Sequence, residues 1–548
     1  MGRVTELCDG ILRTFWRQSP VSASFLGIHD YDHLLPSFDP DALREKTRQL
    51  KDHLRDVETL RRSEPALSDD EDLDLDVVER ELRTQIRVEE ETRLPFRNPG
   101  LYLEEITFGL YILLQREFAP LEERVRSARD RLLAVPRVLE EARRNLSDPS
   151  EVPPVWVSMG SDLAASTVEF MGEMTSRVSE GAPALLPEYQ KATAQAAQAV
   201  SGYARHLNER ISGRARGKYA AGEAMLDFLL QVPHGLPYSA SELEDFGRSE
   251  IERTLRRLEE AAREDGTGKS WVERVDSFGD DLPEPGRMVS AYEAALQRAR
   301  QFVRERDLVT IPPAEILRVV ETPVFERKTT PFAAYIPPAP FEERQEGYFW
   351  VTPPEASLSS AERSARMRGH VLPGIPVTTV HEGYPGHHLQ ISLANRVRSS
   401  VRRQVWTPVM VEGWALYCEE MMGEQGFYAD PRTRLLQLKD HLWRACRVVI
   451  DVGLHTEKLS FEEAVRMLVE VARLEPAGAT GEVKRYTKTP TQPLSYAVGQ
   501  REIRALRDEV RAAEGGRFSL GRFHDRLLQY GSIPISLIRA RLLPSPQA

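Results

Sequence analysis

Three histidines and one carboxylate fall within eight residues, His381-Glu382-Gly383-Tyr384-Pro385-Gly386-His387-His388, although the whole chain holds only 12 histidines. An apolar lead-in, Val377 to Val380, precedes them, and an apolar-periodic stretch, Leu389 to Ala394, follows. Core packing gains nothing from so many imidazoles. Imidazole and carboxylate together are the usual protein ligands of a catalytic zinc ion.

The spacing decides which imidazoles can meet. The HExxH zinc helix sets two histidines on one face by a four-residue step, and its glutamate polarises the metal's water. Here His387 lies six residues after His381, and His388 seven. On a regular helix a six-residue step reaches roughly the opposite face. A seven-residue step restores the face but adds about 10.5 Å of rise, too far for shared coordination at about 2.0–2.1 Å. The sequence supplies a break, because Pro385 cannot donate to the His381 carbonyl and Gly383 and Gly386 free the backbone. A widened turn, a π-type bulge or a short loop would bring a second imidazole back. His381 and His387 are the favoured ligands, with His388 the alternative ligand or else a group that contacts substrate or supports a ligand; Glu382 stands where the water-polarising glutamate of HExxH does. A third protein ligand is expected beside an open position. Glu412, first carboxylate of the VEGWALYCEE stretch, is the candidate, and Glu419, seven residues on, shares its face and competes.

Most of the chain that must position these groups has helical spacing. Residues 3–17, 41–62, 68–92, 116–146 and 187–212 precede the motif, and 408–424, 431–453 and 461–473 follow it. Ile251, Leu255, Leu258 and Ala262 form one apolar stripe, and Leu435, Leu438, Leu442, Cys446 and Val449 another. Ser460 to Glu463 is a capping-box pattern, and the tail after about residue 485 gives two more helices. Between about 308 and 352 short β-branched and aromatic runs separated by prolines predict a small sheet, either a structural patch or an edge that holds extended substrate. Gly266 to Ser270 imitates the end of a phosphate-binding loop, but position 263 is Arg and a helix precedes it, so a polar turn is expected.

Composition sets the class. The 548 residues are 41% hydrophobic and 29% charged with a net charge of −11, ordinary for a globular protein. No basic block or basic aromatic platform points to nucleic acid. Cys8, Cys418 and Cys446 form no CxxC pair, which suits a reducing compartment. The charged N-terminal stretch lacks an apolar signal core, and no run approaches 18 apolar residues, so a cytoplasmic protein without a membrane span is expected.

HEGYPGHHLQ, EGWALYCEE, GLHTEKLSFEEAVRML, EVKRYTKTPTQPLSYAVGQREI and FHDRLLQYGSIPISLI occur in an order that resembles domain-of-unknown-function family 885. The resemblance covers most of the chain and is densest from about residue 345 onward. That family is similar to the helical gluzincin-type zinc peptidases, such as angiotensin-converting enzyme, thimet oligopeptidase and Taq carboxypeptidase. The resemblance implies a mainly α, two-lobed fold with a small sheet beside the active-site cleft. Residues 1–300 would form an N-terminal helical lobe and 301–548 the metal-binding catalytic lobe. It implies one zinc ion on His381, His387 and Glu412, with Glu382 as general base and Tyr496 as the oxyanion donor; the HExxxxH spacing is its departure from HExxH. Arg485, Tyr486 and Arg501 fall near Tyr496 in sequence, where an Arg fork would hold a peptide's C-terminal carboxylate; the plain alternative is ion-paired helix residues. His455 and His524 are either ligands or core histidines. The expected activity is hydrolysis of short peptides, of carboxypeptidase or oligopeptidase type, by a monomer or homodimer with no nucleic-acid or membrane partner. A specialised non-peptide amide substrate and an inactive helical binding protein are the alternatives.

Overall fold

Polar caps and prolines divide the chain into helices. In the computed structural model Asp39 accepts from the Asp41 N–H at 2.9 Å just before one 24-residue helix, and Ser68 and Glu71 form a capping box before the next. Each cap satisfies backbone donors that a helix start leaves free. The structure describes residues 2–543 except 65, 265–266, 324–326, 328–329, 331 and 355–357. The fold is mainly helical with one three-stranded sheet among the described residues. By chain contacts it divides into two compact units, Met1–Tyr219 with Ala339–Arg344, and Ala220–Pro338 with Gln345–Ala548.

The first unit is built from α1 (Arg3–Gln18), α2 (Pro40–Ser63), α3 (Asp69–Thr92), α4 (Gly100–Gln115), α5 (Leu121–Asn145), α6 (Pro154–Gly181) and α7 (Leu186–His206). The stripe on α1 buries Val4, Cys8, Ile11, Leu12 and Phe15. The helix expected over 116–146 begins only at Leu121, after Pro120, and the one expected over 187–212 ends in a wider π turn at Leu207–Ile211. Helix α4 carries no one-sided stripe because it is buried nearly all round, from Tyr102 to Leu114.

The second unit holds α8 (Ala240–Glu264), α9 (Met288–Glu305), β1 (Ile316–Glu321), β2 (Ala333–Ile336), β3 (Glu346–Val351), α10 (Ile375–Glu382), α11 (His387–Ala394), α12 (Pro408–Glu424), α13 (Pro431–His455), α14 (Phe461–Glu470), α15 (Pro476–Tyr486) and α16 (Ser495–Glu514). The two apolar stripes read from the sequence meet each other: Leu258 and Ala262 of α8 share a core with Leu435, Leu438 and Leu442 of α13. The Ser460 capping box forms, with Glu463 accepting from the Ser460 N–H at 2.9 Å. Strand β3 is central, parallel to β1 and antiparallel to β2, with Phe349 level with Val319 and Tyr335. Of the Gly266–Ser270 turn, Gly266 lies outside the described residues, and Ser270 caps the helix Trp271–Asp276 through Glu273. All three cysteines are free and buried. Among the described residues no helix is long and apolar enough to cross a membrane.

Candidate metal centre

The motif is not one helix but two short ones. Helix α10 stops at Glu382, and α11 starts at His387 after a four-residue break, Gly383 to Gly386, that contains a cis Tyr384–Pro385 peptide. Glycine is required where the break folds back: a Cβ on Gly386 would sit 1.9 Å from the His381 carbonyl oxygen. The Gly386 N–H instead donates to Val380 O at 3.0 Å. Trp414 of α12 holds the loop from the side, donating its indole N–H to Pro385 O at 2.8 Å. The break therefore does what the spacing demanded, and it is a short loop rather than a bulge.

Its consequence is that His381 and His387 face each other, ring centroids 4.7 Å apart and planes at 86°. Glu412 completes the group: its Oε2 lies 3.4 Å from His387 Nε2 and 3.9 Å from His381 Nε2. One potential ligand atom from each of the three residues lies within 4.8 Å of the others, so this buried His–His–Glu group could hold a metal ion. The donor set fits a cation. Glu412 Oε2 is buried without a hydrogen-bond partner although it faces two imidazoles, an arrangement an ion between them would satisfy. Burial alone would lift the Glu412 carboxyl, but His387, His381 and Tyr496 overrule it and hold the pKa near 2. Burial, aided by the charge of His387, lowers His381 to about 4 and keeps it in the neutral form that binds metals. For His387 burial works in the same direction, but Glu412 raises its pKa above the ordinary value.

Glu419, the competing candidate for third ligand, stands behind His381 instead. It is 1% exposed and sits on the far nitrogen of His381, Nδ1 to Oε1 at 2.7 Å, which leaves Nε2 for the centre. A carboxylate behind a ligating imidazole fixes its orientation. Burial pushes the Glu419 carboxyl up to about 8 against the pull of Arg444. His388 is not in the group. Its Nε2 meets Glu315 at 2.7 Å and its Nδ1 meets the Tyr335 hydroxyl of β2 at 3.2 Å. Tyr384 and Arg300 also bond Glu315, so this network ties the motif to the sheet.

Glu382 follows His381 at the end of α10, half-buried, and its charge acts on both imidazoles. Tyr496 comes from α16, which crosses α12 at a glycine pair. A Cβ on Gly499 would lie 1.9 Å from Val409 O and 2.7 Å from Gly413 Cα, so only glycine allows this approach. The crossing sets Tyr496 beside Glu412, whose carboxyl it helps to keep ionised, with its ring stacked 6.3 Å from His381. Burial and the Glu412 charge push the Tyr496 hydroxyl up to about 12.

The remaining candidates are engaged elsewhere. Tyr486 is fully buried, its hydroxyl donating to Glu482 at 2.6 Å and accepting from Arg447 Nε at 2.7 Å. Arg485 bonds Glu482 and Gln492, and Arg501 lies over the Tyr238 and Phe246 rings. His455 bonds Tyr486 O at 3.0 Å, and His524 bonds Tyr417 and Leu308 O, so both are core histidines. Sequence reasoning missed Arg444 and Arg447 of α13, whose guanidinium carbons lie 5.7 and 4.6 Å from the Tyr496 ring centre. The available signal was their place on a helix flanked by buried stripes, where charge is costly without a purpose.

The model of a family described as "Bacterial protein of unknown function (DUF885)" matches residues 20–542. Two solved structures share the fold. One is described as a "putative lipoprotein of unknown function" from Shewanella oneidensis, with TM-score 0.84 and 22% identity over 99% of this chain and 100% of that one. The other, a "putative lipoprotein" from Colwellia psychrerythraea, has TM-score 0.83 and 18% identity over 98% of each chain. No curated protein matches.

Proposed function

We propose that this chain, which belongs to the bacterial family of unknown function 885, is a zinc-dependent hydrolase of peptide bonds in short substrates. The observation that supports this reading is the buried group of His381, His387 and Glu412, on whose two imidazoles the charge of Glu382 acts. Two imidazole nitrogens and one carboxylate oxygen match the three-ligand pattern of catalytic zinc sites, as in the gluzincin-type peptidases to which family 885 is similar. When bound there, a zinc ion supplies Lewis acidity to a water and to a carbonyl oxygen. The protein supplies the rest. Glu419 orients His381, and Glu382 takes the proton of the attacking water and returns it to the leaving amine nitrogen. The Tyr496 hydroxyl, kept protonated by its buried setting, donates to the oxygen on which charge develops. A cytoplasmic location belongs to the same proposal; the lipoprotein descriptions of the two neighbours are the competing indication, and cell fractionation decides it.

Metal content and turnover test the reading together. Purified chain, loaded with zinc and dialysed, should retain one ion. Glu382→Gln should keep that ion and lose about 10²- to 10⁴-fold in the rate of cleaving a short-peptide mixture, the usual contribution of a positioned base. Wild-type chain that retains no zinc, or a Glu382→Gln chain as active as wild type, defeats it.

A further inference from the structure

Helices α13 and α15 bring three cations to one region, and among the described residues one of them has no ion-pair partner. Arg447 is 4% exposed; its Nη2 meets Glu482 at 3.0 Å and its Nε the Tyr486 hydroxyl. Arg485 meets the same Glu482 at 2.9 Å. Arg444 is half-buried over the Trp443 ring at 4.3 Å, and among the described residues no carboxylate lies within ion-pair distance of it. Its Nε and Nη1, and Nη1 of Arg447, are buried donors without acceptors. Two of the three guanidinium groups thus share the carboxylate of Glu482 and Arg444 is left without one, beside a ring that itself stacks on His381.

A half-buried guanidinium without a counter-ion is costly, and buried donors without acceptors cost more. Such a site is resolved by an acceptor that arrives from outside. We propose that Arg444, backed by the free Nη1 of Arg447, receives a carboxylate of the substrate on the Tyr496 side of the metal centre. A planar fork of donors matches the two oxygens of a carboxylate and gives it an orientation as well as an attraction. This rests on the hydrolase reading for the word substrate. It makes the preferred substrate a peptide whose carboxylate lies close to the bond cleaved. The carboxylate is either the chain terminus or an acidic side chain. Of the sequence candidates for this role, Arg485 and Tyr486 hydrogen-bond to partners of their own and Arg501 lies over the Tyr238 and Phe246 rings, whereas Arg444 holds two buried donors without acceptors.

Binding to the zinc-loaded Glu382→Gln full chain, measured by titration calorimetry, separates the possibilities. The probes are trialanine, trialanine amide and Ala-Ala-Glu amide. At least one carboxylate-bearing probe should bind tenfold or more tightly than trialanine amide. Arg444→Met should abolish that preference, and Arg444→Lys should restore it in part. Preference for trialanine assigns the terminus, and preference for Ala-Ala-Glu amide the side chain. Equal binding of all three probes, or a preference that survives in Arg444→Met with an unchanged melting curve, overturns the proposal. Hydrolysis of trialanine, trialanine amide and Ala-Ala-Glu amide at equal rates would overturn it and leave the hydrolase reading intact. Arg444-dependent binding by a chain that holds no zinc and cleaves nothing would do the reverse.

Discussion

His387 and His388 are neighbours with different work, and what each touches predicts how its loss reads out. His387 faces Glu412 and His381 across the centre, while His388 spends both nitrogens on Glu315 and Tyr335. His381→Ala or His387→Ala should therefore strip bound zinc, whereas His388→Ala should leave the metal stoichiometry unchanged. The His388 change should cost stability instead. Glu315 is buried with Tyr384 and Arg300 still bonded to it, so losing one of its partners is worth about 2–3 kcal/mol rather than the larger penalty of a wholly unpaired charge. Metal analysis beside urea denaturation of the three variants makes the comparison. A His388→Ala chain that loses its metal while still folded would place the second ligand one residue further on.

Between elements, the decisive contact is the glycine crossing of α12 and α16, because it delivers Glu412 and Tyr496 to one place. Gly499→Ala puts a methyl 1.9 Å from Val409 O, a backbone atom that cannot rotate away, so the two helices must separate. The expected loss is about 3 kcal/mol or more, with weaker zinc retention as Glu412 shifts. Gly481→Ala in α15 is the control: nothing lies within 4 Å of its Cβ, and a helical Gly-to-Ala change there should be neutral or stabilising by up to about 1 kcal/mol. Thermal melts of the pair, with metal content, check both. Equal melts would show that the crossing tolerates a side chain. The same scale explains what the sequence let one read. Stripes on α8 and α13 were legible because apolar periodicity is a property of one helix, and each stripe needed a partner; they turned out to be each other's. The broken motif was legible because proline and glycine act locally. What a residue meets across a crossing is not written in its own helix. Arg501 is near Tyr496 in sequence, yet five residues along a helix is a rotation of about 140°, and it faces Tyr238 and Phe246 instead. Arg444 and Arg447, some fifty residues earlier, reach Tyr496 through helix packing that no spacing rule announces.

In the molecule as a whole, the chain order and the contact order part company at one segment. Ala339–Arg344 lies in sequence between β2 and β3 of the second unit but clusters with the first. Within that first unit it is held by Phe341, whose N–H donates to Leu26 O at 3.0 Å and whose ring meets Trp16 edge-on, and by Glu342, 3.5 Å from His29 Nε2. His29 also bonds Asp32 at 3.0 Å and stacks on Phe118. Burial would lower this histidine, but the hydrogen bonds and charges of Asp32 and Glu342 prevail and raise it to about 9. The sign follows from linkage: a folded pKa above the ordinary 6.5 means stabilisation that is complete below pH 6.5 and disappears as pH rises through about 9. The ring is 30% exposed, so solvent screening reduces the effect to about 1 kcal/mol. Hydrogen exchange at the Phe341 amide reads it where it acts. After correction for the intrinsic base-catalysed rate, protection should fall several-fold between pH 6.5 and 9 in the wild-type chain. In His29→Gln it should start near the wild-type high-pH value and stay flat across that range. A Phe341 amide equally protected in both chains at pH 6.5 would mean that the segment is held by its aromatic and backbone contacts alone.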